Sequence, residues 1–274
     1  QMNRSNPFDL TGKKVLFSGA TGVLGASMAL YLASHGAELL LLGRTPEKVN
    51  ALRDQILAQG GKAWGYYADV TDEESLEKVG QLIAAQHESI AVLINAAGGN
   101  MPGAVIRPDQ TFLDLDTEAL KQVMDLNYLG TVFPIKAFLP LLLKNQSGTI
   151  LNISSMAASR PMTRVMGYAS AKAAIDNLTK WLAVELSTKY GPNFRVNALA
   201  PGFFLTEQNR TLLTEQDGSL TQRGQQIISH TPMDRFGNPE DLLGALHWLC
   251  SDASAFVTGS VVAVDGGFSA YAGV

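Results

Sequence analysis

The chain has 274 residues, of which 46% are hydrophobic and 17% charged, and it carries a net charge of −4. This composition supports a sizeable core and excludes a disordered chain, and the slightly acidic balance offers no basic surface for nucleic acid or anionic lipid. The length fits one large α/β domain. The single cysteine, Cys250, lies in an apolar helical stretch and is expected in the core, which excludes a disulfide within the chain. No secretory signal or membrane-spanning run is recognised, so we expect a cytoplasmic protein.

Strands and helices alternate along the sequence. Apolar runs predict buried strands at residues 14–18, 38–42, 62–69, 90–94, 149–153, 195–199 and 261–264. Helical patterns lie between them at 26–35, 46–59, 116–145, 167–190 and 240–250, and a capping box from Thr71 to Glu74 opens one more. This order predicts an α/β Rossmann fold, a doubly wound parallel sheet of about seven strands with helices on both faces. No repeat or linker interrupts the sequence, so residues 1–274 are expected to form a single domain.

A glycine-rich turn joins the first strand to the first helix. Its glycines are Gly19, Gly22 and Gly25. Glycines let the backbone approach a pyrophosphate, and the helix that follows supplies N–H donors and a favourable dipole. Strand, glycine turn and helix in this order predict a dinucleotide-binding loop, and hence an NAD(P)-binding domain.

A tyrosine, a lysine and a serine form the second signal. Of the seven tyrosines, only Tyr168 has a lysine four residues on, Lys172, and Ser155 ends the apolar run before them. Positions i and i+4 share a helix face, so the ammonium is expected beside the phenol, where a cation lowers the phenol's pKa from its usual value near ~10. By themselves these residues would be an exposed pair and a turn. Together with the glycine turn they predict proton transfer for an alcohol and carbonyl pair.

In this order the motifs resemble those of the short-chain dehydrogenase/reductase family, from about residue 9 to 274. The resemblance rests on the glycine turn, Asp69-Val70, Asn95-Ala-Ala-Gly98, Asn127, Ser155, Tyr168-x-x-x-Lys172, and Pro201-Gly202 with Thr206. It implies that Tyr168 is the catalytic acid/base, that Ser155 orients the substrate oxygen, and that Lys172 binds the nicotinamide ribose and tunes Tyr168. Asn127 is implied to support a water-linked proton path, although by itself it would be taken to cap or kink the long helix.

The resemblance also implies which residues hold the cofactor. Asp69 would meet the adenine, segment 95–98 would line the adenine ribose, and segment 201–206 would cover the nicotinamide. The implied set is Gly19, Thr21, Gly22, Leu24, Gly25, Arg44, Thr45, Asp69, Val70, Asn95, Ala96, Ala97, Gly98, Tyr168, Lys172, Pro201, Gly202, Phe204 and Thr206. The glycine spacing departs from the family's usual G-x-x-x-G-x-G and is commoner in sugar-nucleotide epimerases and dehydratases. The total length and the interval from Ser155 to Tyr168 favour the short oxidoreductases.

The end of the second strand bears on the choice of nicotinamide. An acid there would hold the 2′-hydroxyl of NAD, but Gly43-Arg44-Thr45 occupies that place. A guanidinium can hold a 2′-phosphate, so we expect NADP(H) in preference to NAD(H). In the alternative, Arg44 only stacks on the adenine and NAD(H) serves.

Several loops resemble one subgroup of the family, the D-mannonate oxidoreductases (fructuronate reductases) of the short-chain type. These loops are 95–100, 201–210, 230–233 and 264–274, and segment 203–231 is expected to cover the substrate. The resemblance implies reversible reduction of D-fructuronate to D-mannonate. A sugar acid needs polar partners and a cation, and a guanidinium can hold a carboxylate in two places. The candidates are Asn100, Ser155, Met156, Arg160, Arg164, Gln208, Asn209 and Arg210, with Arg210 the first choice.

Other functions stay open. A member of the same family could act on another polyol, sugar or hydroxy acid. A cofactor-binding regulator or an epimerase is a weaker alternative, because a pure binder has no need of the complete catalytic set. The four histidines are dispersed and indicate no metal site. The resemblance implies a homotetramer in which the helices over 116–145 and 167–190 pack against symmetry mates through apolar stretches 133–143 and 181–186.

Overall fold

One parallel sheet of seven strands forms the centre of the protein. A computed structural model describes residues 6–207 and 209–273. The strands are β1 (Lys14–Ser18), β2 (Glu38–Gly43), β3 (Lys62–Tyr67), β4 (Val92–Asn95), β5 (Gly148–Ile153), β6 (Phe194–Pro201) and β7 (Val261–Val264). Their spatial order is β3-β2-β1-β4-β5-β6-β7, and every pair is parallel. The predicted single-domain Rossmann fold is confirmed.

Helices cover both faces of the sheet. Within the described residues they are α1 (Val23–Ser34), α2 (Pro46–Ala58), α3 (Glu73–His87), α4 (Thr117–Met124), α5 (Gly130–Lys144), α6 (Met166–Tyr190), α7 (Arg210–Leu213), α8 (Gln222–Ser229) and α9 (Leu243–Cys250). One core layer joins the sheet to α1, α2 and α9, and the other joins it to α3, α5 and α6.

The second strand shows why apolar runs predicted the sheet correctly. Leu39 and Leu41 pack into one core layer, and Leu40 and Leu42 into the other. Successive side chains of a strand point to opposite faces, so a strand covered on both faces needs apolar residues at every position.

Several element ends differ from the prediction, among them those of α1, α3 and β3. Helix α1 begins at Val23, three residues earlier than predicted, with Gly22 as its N-cap. Helix α3 is capped by Asp72, whose carboxylate accepts from the Ser75 N–H at 3.1 Å, so the predicted Thr71–Glu74 capping box is wrong. Thr71 instead donates its N–H and hydroxyl to Asp69, and this turn ends the strand early.

The long helical run from Thr117 to Lys144 is interrupted by a π-turn at Asp125–Leu129. By length and composition it is the one run in the described part of the protein that could cross a membrane. Phe138, Leu141 and Leu142 of this run are buried against the sheet. The run therefore has the packing of a core helix.

Segment 203–231, for which the sequence predicts no helix or strand, contains short regular elements. It holds α7, α8 and an isolated bridge between Thr214 and Leu220. Helix α8 has few apolar residues. Among its described positions, only Gly224 and Ile227 are buried. The prediction for Cys250 is confirmed, since this residue is 1% exposed and burial raises the pKa of its thiol to about 12.

Candidate active site

The end of β5 and the first turns of α6 bring the predicted catalytic residues together. Tyr168 and Lys172 lie on one face of α6, and the Lys172 ammonium is 5.5 Å from the centre of the Tyr168 ring. The same ammonium donates to the Ile153 carbonyl at 2.7 Å. Ser155, two residues farther along, interacts with the Tyr168 hydroxyl and accepts from the Ala157 N–H at 3.2 Å. The phenol, the hydroxyl and the ammonium thus form one cluster.

Burial determines the acid–base behaviour of this cluster. Burial raises the pKa of the Tyr168 phenol, and its hydrogen bond with Ser155 opposes the rise. Burial lowers the pKa of Lys172 to about 8, and the Asp176 carboxylate opposes that fall. The predicted lowering of the Tyr168 pKa is therefore wrong, because removal of the phenol from water raises it.

Asn127 lies in the π-turn and ties it to the loop after β4. Its side chain accepts from the Gly99 N–H at 3.1 Å and donates to the carbonyls of Gly99, at 2.7 Å, and Val123, at 2.8 Å. A Cβ at Gly98 would stand 2.6 Å from the Asn127 side-chain oxygen and 3.3 Å from the Lys172 ammonium. Asn127 therefore joins the π-turn to the loop after β4 and borders the catalytic cluster, while its part in a proton path stays a prediction. π-turns of this kind are frequent at functional sites.

A groove of about 310 Å³ crosses the carboxyl ends of β1, β2, β3 and β4. This is the point where the strand order reverses, which is where ligands bind in such sheets. Its walls include ten of the predicted cofactor residues, joined by Leu42, Gly43, Lys48, Ala68 and Leu126, which the sequence did not predict. The ten are Gly19, Thr21, Gly22, Arg44, Thr45, Asp69, Val70, Ala96, Ala97 and Gly98.

The glycine turn has the shape that a pyrophosphate requires. Gly19 has a φ of +74°, and a Cβ there would stand 2.4 Å from the Ala96 carbonyl carbon. Gly22 gives α1 no side-chain cap, and no acidic residue lies in the first turn of that helix. The first N–H groups of α1 therefore stay available to an anion at the groove, so the residues present fit a dinucleotide.

Four predicted cofactor residues do not line this groove. Gly25 packs beneath the turn, Leu24 lies against the core, and the Asn95 amide donates to the Asn152 side chain at 3.0 Å. Phe204 is 5% exposed and packs against Gly237. These residues shape the site by supporting its walls.

The segment after β6 is held from two sides. The Gly202 N–H donates to the Val264 carbonyl at 2.9 Å, continuing the pairing in which Pro201 lies opposite Val264. The Thr206 N–H donates to the Asn209 side chain at 2.8 Å. Asn209, predicted to bind substrate, thus uses its side chain to brace this loop.

Arg44 and Asp69 lie together at the adenosine end of the groove. The Arg44 guanidinium is 3.9 Å from the Asp69 carboxylate. Hydrogen bonds from Thr71 lower the pKa of Asp69, so it is a carboxylate at neutral pH. Arg44 is 73% exposed, which leaves its remaining N–H groups free to reach a ligand.

Two of the predicted substrate cations, Arg210 and Arg160, contact other groups of the protein. Arg210 is exposed and pairs with Glu207 at 3.5 Å. Arg160 donates two hydrogen bonds to the Ser269 carbonyl. Both guanidinium groups are therefore occupied by the protein itself, and Gln208 lies outside the described residues.

Two other predicted substrate residues are also engaged locally. Met156 is 2% exposed, so it belongs to the packing beneath the site. Asn100 is exposed, accepts from the Met101 N–H at 3.0 Å and lines a depression beside the π-turn. Neither is placed beside the Tyr168 hydroxyl by any described contact.

Arg164 is the last of the predicted substrate residues, and its charge acts on a second arginine, Arg223. Arg164 precedes Tyr168 by four residues and has a φ of 77°, and its carbonyl accepts from the Ile106 N–H at 3.0 Å. Arg223 comes from α8, and burial, followed by the charge of Arg164, lowers its pKa. Neither takes part in the ion pairs formed within residues 6–207 and 209–273. Arg223 was not predicted, because few apolar residues mark α8 as a helix.

Comparison with known proteins identifies the family. A family model described as enoyl-(acyl carrier protein) reductase matches residues 19–269. The chain belongs to the short-chain dehydrogenase/reductase family. As a short-chain dehydrogenase/reductase it is an NAD(P)-dependent oxidoreductase that interconverts an alcohol and a ketone.

Three members of the family that are similar to this chain are the following. An uncharacterized oxidoreductase, UxuB, of Bacillus subtilis is 46% identical over 97% of this chain and 98% of its own. A candidate D-mannonate oxidoreductase from Haemophilus influenzae is 42% identical in sequence. Its crystal structure, with bound NAD, superposes with a TM-score of 0.91 over 97% of this chain and 98% of that one. A gluconate 5-dehydrogenase from Burkholderia cenocepacia, with NADP and tartrate, is 28% identical, with a TM-score of 0.85 over 97% and 98%.

Proposed function

We propose that this short-chain dehydrogenase/reductase interconverts D-fructuronate and D-mannonate. The observation that carries the proposal is the 42% identity, over 97% of this chain, to a candidate D-mannonate oxidoreductase. Two cations offer a place for a carboxylate, because the pKa of Arg223 is lowered first by burial and then by the charge of Arg164. Two like charges held together disfavour one another, and a carboxylate between them relieves that repulsion through charge-assisted hydrogen bonds. A sugar acid supplies such a carboxylate, and the Haemophilus influenzae relative is described as a candidate D-mannonate oxidoreductase.

The catalytic cluster handles the proton of this reaction. Ser155 holds the ketone oxygen against the phenol, and Tyr168 gives that oxygen its proton in the direction of reduction. The reduced nicotinamide supplies the hydride that the carbonyl carbon accepts. Lys172, charged below a pKa of about 8, stabilises the negative charge that develops on the tyrosine oxygen.

NADP(H) is the proposed cofactor. No carboxylate stands at the end of β2, where Gly43-Arg44-Thr45 forms part of the groove. The exposed Arg44 guanidinium suits a 2′-phosphate, whereas its neighbour Asp69 reduces the net positive charge there. NAD(H) is the alternative, because one relative binds NAD and another NADP.

A second candidate substrate class is an aldonic or other hydroxy acid. The Burkholderia cenocepacia relative is a gluconate 5-dehydrogenase whose structure holds tartrate, a small dicarboxylate. The same arginine pair suits such an acid. A homotetramer is likewise a proposal, supported by the exposed Trp181 and Val184 on α6.

A substrate panel tests the proposal through the absorbance of the reduced nicotinamide. It contains D-fructuronate, D-mannonate, gluconate and the neutral ketose D-fructose, with Tyr168→Phe as the inactive control. We expect turnover of the first pair above the others. In Arg164→Ala and Arg223→Ala the KM for the sugar acid should rise about tenfold or more, and that for a neutral ketose far less.

Arg210→Ala is the matched control, because Arg210 is exposed and already paired with Glu207. It should leave KM for the sugar acid within about twofold of the parent value, as surface ion pairs contribute little. Preference for a neutral sugar, or equal effects of all three arginine variants, would contradict the proposed substrate.

A further inference from the structure

Three successive residues at the end of β5 contact three successive turns of α6. The Ile153 carbonyl accepts from Lys172, the Ser154 hydroxyl donates to Asp176, and Ser155 interacts with Tyr168. Tyr168, Lys172 and Asp176 are spaced four residues apart, so they follow one face of the helix. Tyr168 and Lys172 take part in the proposed reaction, whereas Asp176 has no role assigned in it so far.

The contact between Ser154 and Asp176 fixes the backbone immediately before Ser155. Ser154 is 2% exposed, and its N–H donates to the Leu199 carbonyl of β6 at 2.8 Å. With its hydroxyl bound to Asp176 as well, Ser154 is held on both its backbone and its side chain. The direction in which the next residue, Ser155, presents its hydroxyl therefore depends on this anchor.

The Asp176 carboxylate also lies among cations. Lys172 and Lys180 stand one turn before and one turn after it on α6, and both lower its pKa, although burial raises that pKa overall. On Lys172 the carboxylate acts against burial and holds the ammonium pKa up. Ser154, after the end of β5, contacts Asp176, and Asn127, in the π-turn, lies near Lys172; neither side chain titrates.

We propose that Asp176 is a positioning residue of the catalytic cluster: through Ser154 it orients Ser155, and through its negative charge it keeps Lys172 protonated. The proposal concerns the proton-handling cluster and is independent of the substrate. It therefore stands or falls separately from the D-fructuronate assignment.

Asp176→Asn separates the two roles, because the amide oxygen still accepts from Ser154 while the charge is lost. In the parent we expect ketone reduction to decline above the pKa of Lys172, about 8, because the neutral amine would no longer stabilise the tyrosine oxygen. In Asp176→Asn we expect this alkaline decline of kcat to move to lower pH by about half to one unit, as for the loss of one partly solvated charge a helical turn away.

Ser154→Ala is the complementary variant, because it keeps the charge and removes the anchor. It should lower kcat several-fold at every pH and leave the alkaline decline where the parent has it. Asp176→Glu retains the charge and should restore the parent's pH profile. Each is measured with a ketone from the panel that the parent reduces, with thermal unfolding as the control for folding.

A binding measurement gives a readout that does not depend on turnover. The affinity for the reduced cofactor, followed by nicotinamide fluorescence, should weaken at a lower pH in Asp176→Asn than in the parent. A folded Asp176→Asn with the parent's pH profiles would overturn the charge role, and a folded Ser154→Ala with the parent's kcat would overturn the anchoring role. If Asp176→Asn does not fold, Asp176→Ser replaces it as the variant without charge.

Discussion

Lys172 and Arg44 are cations of the same cleft in opposite surroundings. Lys172 is 3% exposed, and its pKa falls to about 8, whereas the Arg44 side chain is 73% exposed. A buried cation responds to every neighbouring charge, because little water screens it. An exposed guanidinium acts mainly by binding. On the proposed function, Lys172 acts through its protonation state and Arg44 through the cofactor phosphate that it binds.

Replacing Arg44 should change the choice of nicotinamide. In Arg44→Ala we expect the ratio of kcat/KM for NADP over that for NAD to fall about tenfold or more, because charge-assisted hydrogen bonds to a 2′-phosphate are lost. Steady-state kinetics with each cofactor measures this ratio. Arg53→Ala is the matched control, since Arg53 pairs with Asp54 and does not line the groove.

The parent enzyme itself can contradict this assignment. A tenfold preference for NAD in the unaltered protein would overturn the proposed use of NADP(H). An unchanged ratio in Arg44→Ala would show that Arg44 stacks on the adenine or faces solvent.

At the scale of the elements, Gly22 and Gly25 have different surroundings in the turn between β1 and α1. A Cβ at Gly25 would stand 2.3 Å from the Gly19 carbonyl oxygen and 3.0 Å from the Ala20 Cα. A Cβ at Gly22 would meet only that same carbonyl, at 3.5 Å. Gly25 thus allows the helix to close onto the turn, whereas Gly22 opens toward the groove.

The two glycines should therefore respond differently to alanine. Gly25→Ala should lower the free energy of unfolding by about 3 kcal/mol, because both obstructing atoms belong to the backbone and cannot rotate away. Gly22→Ala should cost less than about 1 kcal/mol of stability while weakening cofactor binding. Urea unfolding and fluorescence titration measure the two effects. Equal loss of stability in both variants would contradict this division of roles.

At the scale of the whole molecule, the sheet could be predicted because its buried strands share one sequence pattern. Strands such as β2, buried on both faces, require uninterrupted apolar residues, and that pattern is visible without a structure. The catalytic cluster was predictable for a similar reason, since helical spacing alone places Lys172 beside Tyr168.

The remainder depended on contacts between residues far apart in the sequence. Arg223 was not predicted, because α8 carries few apolar residues and the charge of Arg164 acts on Arg223 only in the folded protein. The pKa of Tyr168 was predicted in the wrong direction, because burial is a property of the assembled site and not of a helical turn.

A buried histidine at the end of α3, away from the catalytic cluster, is expected to make the stability of the protein depend on pH. His87 is 7% exposed, its Nε2 lies 2.8 Å from the Tyr66 hydroxyl, and its ring meets Trp64 edge-on at 4.7 Å. Burial, followed by the charge of Lys14, lowers the pKa of His87. The unfolded state therefore takes up a proton at higher pH than the folded state.

The sign of the resulting pH dependence follows from this lowered pKa. Stability from neutral His87 is fully present above its unfolded pKa, about 6.5, and is lost as pH falls below that value toward the lower folded pKa. We expect the parent to lose up to about 1 kcal/mol from this group between neutral pH and pH of about 5.5. His87→Gln should be less stable at neutral pH but lose less on acidification, as measured by urea unfolding at both pH values. His230→Gln, at an exposed position just after α8, is the control, and an acid-side loss in His87→Gln as large as in the parent would show that His87 is not its source.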